Sequence, residues 1–132
     1  MKKNNSYRYP KTQREKIDGK RHYVFDKEKL PSVTTILDVT QSAEKREALA
    51  RWRESKGEAE ATRIVDESGA RGTAMHKILE KYILEEGYLD ETEVGKQAHN
   101  MAIQVIQSGL SNVTEYYGTE CTLYYPGLYA GQ

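Results

Sequence analysis

The chain has 132 residues, with 20 basic and 20 acidic side chains and a formal net charge of zero. No apolar run approaches the roughly 18 residues that span a bilayer, and Lys2-Lys3 is followed by polar residues instead of a signal-peptide apolar segment, so the expected location is cytoplasmic, or host cytoplasm for a viral protein. The single cysteine, Cys121, excludes an intrachain disulfide and a cysteine-ligated iron–sulfur cluster.

Ile, Leu, Val and Phe together number 24, about 18% of the chain, which is a thin supply for one core. Balanced charge, ten tyrosines and clear helical periodicity nevertheless argue against disorder. The segment Tyr124 to Gln132 reads as a strand entering a glycine turn, where the sequence stops. The expectation is one α+β domain whose remaining core lies beyond Gln132.

In chain order, residues 1–14 are polar, carry no period and are expected to be loose. Residues 15–30 form a hairpin region, because Asp18-Gly19 between two short segments signals a tight turn that needs positive φ. Residues 31–110 are helical. A short helix starts behind Pro31 with Ser32 as its N-cap, and two or three helices follow from Ala43 to Glu86, broken near Gly57 and near Ser68-Gly69. Another runs from about Glu91 to Ser108, capped near Thr92, with Val94, Ala98, Met101, Ala102, Val105 and Ile106 on its buried face. Four or five such helices predict a bundle. Residues 111–132, rich in β-branched and aromatic side chains, predict a strand or hairpin.

The segment from Arg71 to Ile83 is where chemistry is expected. Met75, Ile78, Leu79, Tyr82 and Ile83 form an apolar stripe, and His76 and Glu80, four residues apart, project from one face at its edge. An imidazole nitrogen and a carboxylate oxygen at that spacing suit a shared metal or an orienting hydrogen bond. The same pair on a lysine-rich helix also reads as a solvated pair. Gly72 offers close approach to another backbone, and His22 and His99 read as surface residues.

Several segments occur in a telling order: Leu30 to Leu37, Leu49-Ala50-Arg51-Trp52-Arg53, Arg71-Gly72-Thr73-Ala74-Met75-His76 with Glu80, then Glu120 to Tyr124 followed by Tyr129-Ala130-Gly131. Together they resemble the N-terminal half of the PD-(D/E)XK nucleases of the RecB type, in particular the mitochondrial genome maintenance exonuclease and similar phage exonucleases. The resemblance covers about residues 15 to 132. It implies that the last strand is the first strand of a restriction-endonuclease-like core. It also implies His76 as a metal ligand, Glu80 as a weaker or outer candidate, Mg²⁺ or Mn²⁺ in the complete protein, and DNA with free ends, preferably single-stranded, as substrate. Glu120 is a further weak candidate for the metal.

The aspartate and the Asp/Glu-x-Lys signature that the family places after this point do not occur in the chain. Phosphodiester hydrolysis of this kind needs clustered carboxylates to hold the metal and a lysine beside the attacking water. The chain by itself is therefore expected to be catalytically silent. Lys45, Arg46, Arg51, Arg53, Lys56 and Arg63, with Arg71, suit a face that holds DNA phosphates without sequence preference. Glu44, Glu47, Glu54, Glu58 and Glu60 alternate with them, which equally describes a solvated surface. Trp52 suits either stacking on a base or, three residues after Leu49, the core. Two other classes stay open: a non-catalytic single-stranded nucleic-acid-binding or recombination accessory module, and a structural or protein-interaction helical domain. Cys121 gives no support to the Cas4-type branch with its cluster cysteines.

Overall fold

The computed structural model describes residues 1–132. Its elements are β1 (Lys2–Lys3), β2 (Gln13–Ile17), β3 (Lys20–Val24), β4 (Lys29–Pro31), α1 (Val33–Val39), α2 (Ala43–Lys56), α3 (Glu58–Ile83), α4 (Glu93–Val105), a π-helical turn (Ile106–Leu110), β5 (Glu115–Tyr116), β6 (Leu123–Tyr125) and β7 (Tyr129–Gly131). The fold is mixed α+β. The chain divides into two compact units: one comprises Asn5–Ala48 with Glu120–Gln132, the other Met1–Asn4 with Leu49–Thr119.

In the first unit, β2 and β3 pair antiparallel with Ile17 opposite Lys20. Asp18 and Gly19 between them have φ of 53° and 75°, the positive values of a turn whose twist matches its strands. A third strand that the sequence pattern did not reveal, β4, pairs with β3 so that Tyr23 faces Leu30. Both side chains are buried with Ala130 of β7, and Phe25 packs against them. Strands β6 and β7 close a hairpin over Pro126-Gly127, where Leu128 N–H donates to Tyr125 O and Gly127 has φ of 75°. Proline followed by a positive-φ glycine is the pattern of a type II turn. Ser32 bridges Ala130 in parallel, which joins this hairpin to the three-stranded sheet.

Ser32 occupies the N-cap of α1 as the sequence predicts, yet its hydroxyl does not cap the helix. It is buried and bonds the Thr34 hydroxyl at 2.7 Å. At the other end of α1, Thr40 N–H donates to Ile36 O and the Arg46 guanidinium donates to the carbonyls of Val39 (2.6 Å) and Asp38 (3.2 Å). A cation at that end also complements the helix dipole.

In the second unit, Gly57, with φ of 83°, separates α2 from α3 as expected. The predicted break at Ser68-Gly69 does not occur, and α3 runs unbroken for 26 residues. A glycine in a helix interior costs only about 1 kcal/mol relative to alanine, and no proline forces an end. Just before that position, Arg63 spans Glu60 (2.8 Å) and Glu67 (2.6 Å) along the helix surface. These i,i+3 and i,i+4 pairs support continuation.

The expected bundle is not formed. The helix pair that packs extensively is α3 with α4, and α2 buries none of its residues. In that pair Ile78, Ala98 and Ala102 are buried, with Ala74, Met75, Leu79 and Tyr88 packed against them. Tyr82 of the predicted stripe is 47% exposed, and Met101 and Val105 of the predicted α4 face also remain exposed. Small side chains on α4 let the helices approach, so the contact is narrower than the hydrophobic pattern suggests. Two of the first residues are paired in a strand, and residues 4–12 carry no helix or strand. Lys2 and Lys3 pair in parallel with Glu115 and Tyr116, a long-range match that carries no local signal.

Candidate nucleic-acid and metal site

Helix α3 ends in a Schellman arrangement, with Glu86 N–H donating to Lys81 O and Glu85 N–H to Tyr82 O. Glu85 supplies the left-handed residue, φ 57°, where glycine is usual. The Glu86 carboxylate pairs with the Lys81 ammonium and pushes its pKa up. The following segment folds back along the helix, placing the Tyr88 ring 4.9 Å from the Lys77 ammonium.

On α3, His76 is exposed and Glu80 half-buried. Their four-residue spacing places them on the same face, as the sequence predicts. No group of three or more His, Cys, Asp or Glu side chains is arranged to hold a metal ion. Glu120 belongs to the other compact unit. It does not lie in the strand but precedes β6, at a bend with φ of 50°, and its carbonyl accepts from Gln132 Nε2 at 2.6 Å. Mg²⁺ and Mn²⁺ need several oxygen ligands. One imidazole and one carboxylate on α3 do not supply them, so the residues present do not fit a complete Mg²⁺ or Mn²⁺ site.

Gly72 provides no close approach within the chain: nothing lies within 4 Å of where its Cβ would stand, and it sits in the interior of α3. The close approach is at Gly95, where a Cβ would fall 2.2 Å from Asp90 Cγ and 2.4 Å from Asp90 O.

The candidate basic residues separate into those held by partners and those open to solvent. Arg71 is half-buried and donates to Gln97 Oε1 at 3.2 Å, tying α3 to α4. Arg53 pairs with Glu58 across Gly57 at 3.4 Å. Arg63 is held by two carboxylates, which raise its pKa, chiefly through the Glu60 hydrogen bond; the same bond lowers that of Glu60. Arg51 and Lys56 are exposed, and the Lys56 charge acts on the Glu60 carboxylate. At about 100° per residue, Arg53 and Lys56 lie about 60° apart around α2. Arg51 faces away, about 140° or more from both, so the expected basic side chains do not share one face. Trp52 is half-buried, between its two expectations.

The sequence pattern also misses a polar arrangement at the start of α4. Thr92 caps the helix through Gly95 N–H (3.0 Å), while Asp90 Oδ1 accepts from the Thr92 hydroxyl (2.7 Å) and amide (3.1 Å). Those two bonds, the hydroxyl first, hold the Asp90 carboxyl below its ordinary pKa. His99, expected at the surface, is half-buried, and its Nε2 accepts from Asp90 N–H at 3.0 Å. Its seven-residue spacing from the Thr92 cap, two helical turns, was the available signal.

In the β unit, a groove of about 390 Å³ is lined by Val33, Cys121, Tyr124 and Tyr129 among others. Leu123 and Tyr125 of β6 are 65% and 58% exposed. No helix is long and apolar enough to cross a membrane. No family model matches the chain. No curated protein matches it, and no solved structure does.

Proposed function

We propose that this chain is the N-terminal part of a metal-dependent DNA exonuclease of the PD-(D/E)XK type. In this reading its helical unit guides single-stranded DNA, and β6–β7 begins a restriction-endonuclease-like core. The observation that carries it is the order of the sequence segments that resemble that family, ending in the Arg71-to-His76 segment with Glu80 on the same helical face as His76. Exposed His76 suits a ligand to Mg²⁺ or Mn²⁺ only together with carboxylates that this chain does not contain, so the 132 residues alone do not hydrolyse DNA. Exposed Arg51 and Lys56 would meet phosphates by charge, without reading bases.

A second reading is a non-catalytic single-stranded nucleic-acid-binding or recombination accessory module, for which the exposed Arg51 and Lys56 would suffice. Both readings predict binding of a fluorescently labelled oligothymidylate, measured by anisotropy. For about two phosphate contacts the affinity should fall roughly sevenfold between 50 and 200 mM salt. Absence of binding at low salt would remove both readings. Mg²⁺-dependent digestion by this chain would overturn its assignment as silent.

A further inference from the structure

The loop joining α3 to α4 is fastened by a histidine in only one of its protonation states. A backbone amide can only donate, so the 3.0 Å contact from Asp90 N–H requires a lone pair on His99 Nε2 and places the ring hydrogen on Nδ1. The adjoining bonds run in series: the Thr92 hydroxyl donates to Asp90 Oδ1, and Gly95 N–H donates to that hydroxyl. A proton on Nε2 would set two donors against each other, at a contact that is partly shielded from water.

The charged groups that line a cavity with the ring are Asp90 and Glu91 of the loop and Lys96 of its own helix. Lys81 and Glu86, paired with each other, lie towards α3 with the Tyr82 and Tyr88 rings, and Lys77 is held over Tyr88.

We propose that His99 is a protonation-controlled latch on the segment between α3 and α4. Neutral His99 holds the Asp90 amide and keeps the segment against α4. When Nε2 takes a proton, the amide bond is lost, the imidazolium turns to the Asp90 carboxylate, and the segment carrying Tyr88 loosens from the α3–α4 pair. An imidazole is the side chain whose charge changes between pH 5 and 8.

Residue-resolved amide hydrogen exchange on the full chain, corrected for intrinsic rates, tests this at about pH 7.5 and about pH 5.5. Protection of the Asp90 amide should fall roughly fivefold to tenfold at the lower pH, the scale of one net hydrogen bond. In His99→Gln, the side-chain oxygen accepts the same bond and does not titrate, so protection should be equal at both pH values. Nitrogen resonances of the wild-type ring at the higher pH should show hydrogen on Nδ1 and none on Nε2. Unchanged protection in the wild type, an equal fall in the glutamine variant, or hydrogen on Nε2 would each overturn the proposal; the ring resonances decide it even if the variant does not fold.

Discussion

Replacing two glycines of the helical unit by alanine should move stability in opposite directions. At Gly95 the new Cβ would stand 2.2 Å from Asp90 Cγ, 2.3 Å from Oδ1 and 2.4 Å from the Asp90 carbonyl oxygen. Because one of those atoms is backbone, rotating the Asp90 side chain cannot relieve the overlap, and the loop must withdraw by about 1 Å to reach ordinary contact. That movement breaks the Asp90–Thr92 and Asp90–His99 bonds that fasten the start of α4. Each of these three net hydrogen bonds is worth about 1 kcal/mol, against a gain of at most about 1 kcal/mol in helix propensity. The net is about 2 kcal/mol of destabilisation, or roughly 6–10 °C in Tm for a chain of this size. Gly72→Ala meets nothing within 4 Å and should raise stability by up to about 1 kcal/mol. Thermal and urea unfolding followed by far-UV circular dichroism measure both. Equal behaviour of the two variants, or a Gly95→Ala protein as stable as the wild type, would refute the placement of Asp90 against α4.

Glu85→Gly should stabilise the chain by about 1 kcal/mol, because the residue ends α3 at φ 57° and glycine adopts that conformation without cost. The 3.7 Å pair between Glu85 and the N-terminal amine is lost in the exchange, but its carboxylate is 77% exposed and the pair contributes little; a lower urea midpoint would contradict this. The Asp90 carboxyl, held below its ordinary pKa by the Thr92 hydroxyl and amide, contributes stability that is fully present above about pH 4 and lost as pH falls through the depressed folded-state value. Asp90→Asn keeps an oxygen that accepts both Thr92 bonds but does not ionise, so it should show a shallower loss of Tm on acidification. Parallel acid profiles for the two proteins would remove Asp90 as a source of the pH dependence.

How much of this was legible in the sequence follows the range of the interactions. Asp18-Gly19, Gly57 and Thr92 announce their turn, break and cap because each acts on its neighbours within a few residues. Gly69 misleads for the same reason: its local cost is real but small beside the continuity of α3. The pairing of Lys2-Lys3 with Glu115-Tyr116 and the burial of Ser32 beside Ala130 depend on residues about a hundred positions away, which no local pattern encodes. For the candidate site, the shared face of His76 and Glu80 was readable from spacing. The diversion of Arg46 to a helix end, of Arg53 to Glu58 and of Arg71 to Gln97 was not, because a basic residue in a sequence looks the same whether it meets a phosphate or a neighbouring side chain.

The central claim concerns the carboxylates that this chain lacks, and the most direct measurement is the source DNA read in frame past the codon for Gln132. The account predicts an aspartate soon after that codon and an Asp/Glu-x-Lys signature one strand further on, completing the metal site that His76 would join. A stop codon directly after Gln132 would contradict it.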